Sequence, residues 1–317
     1  MSRTAMTRRA GLTAAVTAVA LLTGCTIGEP GKGDNGASGS AQSEEAGQPQ
    51  VYVDPNDPEK KKKYAPPKGS GEPGAAVTDD NAKSLGASIN QAIQEVVAQY
   101  GGQAAVGIAN GDGAISVGDA LDFPAWSTIK VPIAIAALRS NPNMSAQAAS
   151  AIQVSDNEAA KALWASIDPA EADKVLAEGN SPVQIQREVT RPEFTPFGQT
   201  IWKPTDQAKF ASNLKCIAGS EEVLGYMGQI AADQRYGLGQ IEGARFKGGW
   251  GPTPDGKYVV RQFGLVPVQS ADGKNFDVAI AITVFPASGT YQDGQAMANA
   301  LVEKLRPVLK DAPIARC

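Results

Sequence analysis

The chain has 317 residues, with 29 Lys and Arg against 33 Asp and Glu, three Cys and no His. Without histidine, a Ser-His-Asp triad and any histidine-ligated zinc centre are excluded, and three cysteines cannot complete a four-cysteine metal site. A net charge of −4 gives no reason to expect a nucleic-acid partner, and nothing in the sequence calls for a metal or organic cofactor.

The chain opens with Arg3, Arg8 and Arg9, then an apolar run over 10–22 that is too short for an ordinary membrane span. The run ends in Leu22-Thr23-Gly24-Cys25, which resembles a bacterial lipobox. The expectation is a lipoprotein signal peptide over 1–24, cleavage before Cys25 and lipidation of that cysteine. The protein would then be anchored at the extracytoplasmic face of the cell membrane. The alternative is an ordinary secretory cleavage site with a chance cysteine. Thr7-Arg8-Arg9 also hints at twin-arginine export, although the large apolar residue expected soon after the arginines is missing. Residues 25–77 are rich in Gly, Ser, Pro, Glu and Gln and cannot build a core, so they read as a solvated tether. Lys60–Lys63 within it is a solvated charge run or a contact for acidic lipid or wall polymer.

From 78 to 317 the composition becomes globular, enough for one domain or two closely packed subdomains. Leu85, Ile89, Ile93, Val96 and Val97 give 80–99 a helical period, ended by Gly101-Gly102. Residues 104–110 and 114–119 read as a strand pair around Gly111-Asp112-Gly113. Residues 127–140 read as a short apolar helix, and helices are expected over 145–166, 204–216 and 221–231. Strands follow at 243–250, 257–267 and 276–286, then an amphipathic helix over 292–309. The pattern is α/β in the α+β sense: an antiparallel sheet flanked by the terminal helices, with a helical insertion. If Cys25 carries lipid, Cys216 and Cys317 remain as an even pair in a compartment that permits disulfides.

Two Ser-x-x-Lys tetrads occur, Ser127–Lys130 and Ser212–Lys215. The second is expected on a solvated helix face. The first lies among Phe123-Pro124-Ala125-Trp126 and Val131-Pro132-Ile133-Ala134. Burial there would disfavour a charged lysine, as a base requires. A helix starting near Ser127 would bring the two side chains onto one face and point backbone amides at a developing oxyanion. The plain alternative is a buried helix start with a snorkelling lysine. Two further matches lie downstream, Ser155-Asp156-Asn157 and Lys247-Gly248-Gly249-Trp250.

S-x-x-K, S-D-N and a strand lysine before glycine, in that order, resemble the signature of class A β-lactamases and penicillin-binding proteins. The resemblance spans roughly 80–310 and implies a β-lactamase/transpeptidase-like fold with a reduced helical lobe. It implies Ser127 as the acylated nucleophile, Lys130 as the group taking its proton, and Ser155 as the proton relay to the leaving nitrogen. Asn157 would bind the substrate amide and steady Lys130, and Lys247 would supply positive potential. The amides of Ser127 and Trp250 would form an oxyanion hole, with Gly249 admitting the substrate to the strand edge. The implied partner is a β-lactam or a small molecule like a cell-wall peptide, handled by a monomer.

Three departures bear on activity. Gly248 stands where the family has a hydroxyl that binds the substrate carboxylate; such a bond is worth roughly 1.5–3 kcal/mol. Arg261, on the next strand, either compensates or sits on an exposed strand face. Ser155 follows Ser127 by 28 positions, about half the family spacing, so the lobe is shortened. The family deacylates with a glutamate in E-x-x-L-N. Glu193 is at about the right place, but Glu193-Phe194-Thr195-Pro196-Phe197 lacks the Leu-Asn ending. Glu193 is therefore either the deacylation base or an exposed loop acid. A serine hydrolase with slow release and an attenuated envelope accessory lipoprotein are both compatible with these features.

Overall fold

The computed structural model describes residues 79–111, 113–118, 122–269 and 273–317. The expected signal peptide, Cys25 and tether lie outside them. Helix α1 (Asp79–Tyr100) leads into β1 (Gln103–Ala109) and β2 (Ala114–Val117). After a 3-10 turn at Trp126–Ile129 come α2 (Lys130–Ser140), α3 (Ser145–Gln153), α4 (Asn157–Ala165) and α5 (Pro169–Glu178). Helices α6 (Pro204–Asn213) and α7 (Glu221–Met227) precede β3 (Arg245–Pro252), β4 (Tyr258–Gln269), β5 (Asn275–Phe285) and the closing helix α8 (Tyr291–Leu309).

The five strands form one antiparallel sheet in the order β2-β1-β5-β4-β3. Its central strands are buried on both faces, which explains their near-continuous apolar runs (Val278–Ile282, for instance). Helices α1 and α8 pack on each other and cover one face. Helix α6 covers the other, so close to β1 that a Cβ on Gly107 would fall 2.6 Å from the Pro204 carbonyl. The second lobe is built around α2, whose residues 130–138 are all buried, with α3, α4 and α5 against it. The fold is thus an antiparallel sheet flanked by helices, joined to a compact helical lobe, and β3 is the sheet edge that faces it.

Four local expectations change. The helix expected over 145–166 is two helices, because Asp156 caps α4 by accepting from the amides of Glu158 (2.8 Å) and Ala159 (3.1 Å). The joint leaves Ser155 with φ +62°. Helix α5 was not expected, although Asp168 caps it and Pro169 takes its first position. The turn holding Ser127 is 3-10, with the α-helix starting only at Lys130. Ser212 is not on a solvated face: it is buried, and its oxygen accepts from the amides of Gly111 (2.6 Å) and Arg316 (3.0 Å). Cys216 and Cys317 are joined, with Cα atoms 5.8 Å apart, which ties the C-terminus to the end of α6.

Candidate active site

Three separate segments deliver the signature side chains to one place. Ser127 lies in the 3-10 turn, and the Lys130 amide donates to the Ser127 carbonyl, so the pair share a turn. The Lys130 Nζ donates to the Ser155 carbonyl (2.5 Å), the Asp156 carbonyl (3.2 Å) and Asn157 Oδ1 (2.7 Å). Strand β3 brings Lys247, whose Nζ donates to Ser155 Oγ (2.8 Å) and to the Gly248 carbonyl (3.0 Å). Ser127 is 1 % exposed, while Lys130, Ser155 and Lys247 are fully enclosed. Buried polar groups need partners; here both lysine nitrogens are held by carbonyl, amide and hydroxyl oxygens.

Strain is concentrated in the same place. Among the described residues, only Trp126, Ser155 and Asn180 are non-glycines with positive φ. Trp126, at φ +50°, directly precedes Ser127; for a bulky residue this is an outlier, held only where surroundings force it. The surroundings here do so. The Ala125 amide donates to the Thr200 carbonyl (2.6 Å), and the Trp126 ring packs edge-on against Phe194 (centroids 5.1 Å apart). A Cβ on Gly251 would collide with that ring at 2.5 Å.

The two glycines after Lys247 differ in kind. A Cβ on Gly249 would stand 2.8 Å from the Ala125 carbonyl, 2.9 Å from the Ser127 amide and 3.0 Å from the Thr128 amide. Only glycine lets β3 approach the nucleophile turn so closely. At Gly248 the nearest atom to an added Cβ is the Tyr236 hydroxyl at 3.7 Å, an ordinary contact. The missing hydroxyl at 248 is therefore not demanded by space. Trp250, next along β3, is buried with its ring stacked on Tyr291 (5.2 Å).

Two expected site residues are placed elsewhere. Arg261 is neither a substrate ligand nor on an exposed face. It is fully buried, Nη1 donating to the carbonyls of Phe123 and Pro124 (2.8 Å each) and Nη2 to the Trp202 carbonyl and Gln207 Oε1 (2.9 Å). Burial pulls its pKa down to about 9, so it stays cationic at neutral pH. Gln207 Nε2 donates to Thr128 Oγ1 (2.8 Å), which donates to the Ala125 carbonyl (2.5 Å). Arg261 thus braces the turn holding Ser127 from beneath. Gln207 and Thr128 were not foreseen; the available signal was a glutamine on the apolar face of α6, beside Pro204, Ala208 and Ala211.

Glu193 points to solvent and pairs with Arg191 (3.0 Å). Its own backbone amide, then Arg191, hold its carboxyl below the usual range, the reverse of what a general base near neutrality needs. Arg191 itself donates to the Pro252 carbonyl (2.6 Å) and lies over the Phe194 ring (4.4 Å). This loop acid therefore belongs to a latch fastening 190–199 over Trp126, with Gln199 Nε2 gathering the carbonyls of Arg191, Phe194 and Thr195 inside.

Comparison with known proteins follows the same lines. The model of the β-lactamase enzyme family matches residues 88–141, the stretch from α1 through Ser127 to the end of α2. No curated protein matches the sequence. Among solved structures, the chain is similar to a class A β-lactamase from Bacteroides cellulosilyticus (13 % identity, TM-score 0.58, covering 71 % of this chain and 98 % of that one). It is also similar to a β-lactamase from Xanthomonas campestris (14 %, 0.57, 71 % and 98 %) and one from Sphaerobacter thermophilus (16 %, 0.55, 70 % and 97 %). At such identities the likeness is one of fold. The chain has the fold of the class A β-lactamases, and the β-lactamase family model matches the segment that carries Ser127 and Lys130.

Proposed function

We propose that the protein is a lipid-anchored, extracytoplasmic serine hydrolase that forms an acyl-enzyme at Ser127 with β-lactams or peptidoglycan-like amides and releases it slowly. The observation that carries this reading is the joined set of Lys130, Ser155, Asn157 and Lys247 around one buried serine turn. With Lys130 in its neutral form, Ser127 Oγ attacks the carbonyl carbon while its proton passes to the Lys130 Nζ. The oxyanion is held by the amides of Ser127 and Trp250. As the carbonyl re-forms, the C–N bond breaks and the Ser155 hydroxyl gives its proton to the leaving nitrogen. Lys247, 2.8 Å away, returns a proton to Ser155. Slow release follows from Glu193, which is turned to solvent and engaged by Arg191.

The second reading, an attenuated accessory lipoprotein on the same fold, is favoured by the 1 % exposure of Ser127, which leaves little room for a substrate without movement. Intact-mass spectrometry after incubation with a simple penicillin separates the two. A drug-sized adduct that disappears in Ser127→Ala supports slow acylation. Hydrolysed drug with no lasting adduct makes the protein an efficient β-lactamase, and neither product nor adduct favours the accessory role. Anchoring is tested separately: Cys25→Ala should move the protein from the membrane fraction to the soluble one.

A further inference from the structure

Every buried Lys, Arg, Asp or Glu among the described residues is a basic one, Lys130, Lys247 or Arg261, with no buried Asp or Glu. A site of this polarity takes an anionic group on its ligand. Beside Lys247, across Gly248, there is also a buried hydroxyl with no well-formed hydrogen bond. Tyr236 is 6 % exposed, and its hydroxyl is enclosed with no hydrogen-bond partner at ordinary distance. Burial, then the charge of the Tyr291 phenol and a loose hydrogen bond toward it, push its pKa well above the usual tyrosine value, so it is a neutral O–H donor across the physiological range. A buried hydroxyl left with no more than a loose contact to another phenol is costly and calls for an explanation.

Its placement supplies one. Gln262, the cross-strand partner of Gly248, donates to the Tyr236 carbonyl (2.9 Å) and accepts from the Leu238 amide (2.8 Å). Tyr236 is thereby fixed opposite Gly248, and its hydroxyl stands 3.7 Å from where a Gly248 Cβ would be. Lys247 and Gly248 are successive positions of an edge strand, so a group laid along that edge lies within reach of both faces.

We propose that Tyr236 is a specificity-determining residue: its hydroxyl donates to a carboxylate of the substrate seated over Gly248, beside Lys247. This rests on the reading of Ser127 as an acylated nucleophile, but its test does not. Tyr236→Phe removes only the hydroxyl and leaves the ring contact with Tyr291 and the bond from Gln262. The full-length protein and this variant are compared for acylation by benzylpenicillin and by its neutral methyl ester. The acid is expected to lose about ten- to a hundredfold in second-order rate and the ester less than about twofold. Adding Gly248→Ser, for which there is space, should restore the preference for the acid. Equal losses on both substrates, or none, overturn the proposal. In a Ser127→Ala background, non-covalent binding of the acid and ester is measured with and without Tyr236→Phe. If the wild type does not acylate, the hydrolase reading falls, and this measurement still decides: an acid preference lost in the variant supports Tyr236, and no preference overturns it.

Discussion

Ser127 and Ser212 each stand three residues before a lysine, and both are almost wholly buried. Ser212 commits its oxygen to the amides of Gly111 and Arg316, and Lys215 reaches the surface to pair with Asp277 (2.5 Å). Ser127 lies on a strained turn, and Lys130 is enclosed among the oxygens of Ser155, Asp156 and Asn157. The spacing is identical, so what separates a reactive pair from a structural one is the partner of each group. A lysine at the surface beside a carboxylate has solvent and an ion-pair partner. Lys130 is instead enclosed by neutral oxygens beside Ser155, which Lys247 also contacts, where the proposed acylation needs a proton acceptor.

The largest effect that would break this comparison is on chemistry. Lys130→Met is expected to lower Ser127 acylation by at least about a thousandfold, in the upper range for loss of a general base, while Lys215→Met leaves it unchanged. Equal behaviour of the two variants in an adduct time course would sink the distinction. Next comes the brace beneath the turn. Arg261→Met strands the acceptors of Phe123, Pro124, Trp202 and Gln207, and should cost about 3 kcal/mol or more in denaturant unfolding. Arg261→Lys should recover only part of it, since an ammonium cannot span four acceptors with a planar fork. The Cys216–Cys317 bond closes a loop of sequence separation 101. Its loss through Cys317→Ser should cost roughly 2–5 kcal/mol, with acylation retained. Ser212→Ala removes one acceptor from two amides and is expected to cost about 1–3 kcal/mol, again without loss of acylation.

Much of this was legible in the sequence where periodicity and turn chemistry agreed. Strands β3, β4 and β5 lie within two residues of their expected bounds; for β4 and β5 the reason is that apolar, Val- and Ile-rich runs between turn residues have few alternatives. The helix over 145–166 was misread as continuous because Asp156 caps locally, a competition that helix periodicity does not register. Arg261 and Gln207 were illegible as a pair. The two are 54 residues apart in sequence, and the other acceptors of Arg261 are backbone carbonyls, which carry no residue identity. Gly248 and Gly249 look alike as letters and are separated only by what a Cβ at each would touch. Tyr236 gave no signal, since its significance lies in where its buried hydroxyl stands relative to Gly248.

The smallest expected effect sharpens the comparison most for turnover. Glu193 is as exposed as Lys215 is, and it too has an opposite charge beside it. Its lowered pKa means that it is ionised in the folded protein before an unfolded glutamate would be, and that its contribution to stability is lost as pH falls through that lowered value. Neither property concerns Ser127. Glu193→Gln should therefore leave the rate of adduct loss within about twofold of the wild type. The pH profile of release should likewise keep its shape through the carboxylate range, because proton abstraction from water needs a base within hydrogen-bond reach of it. A hundredfold slower release in Glu193→Gln would instead mean that the Arg191 latch opens once Ser127 is acylated, bringing Glu193 over the ester. In that case Arg191→Ala, which frees the carboxylate and removes the hold on Pro252, should speed release in the otherwise unaltered protein.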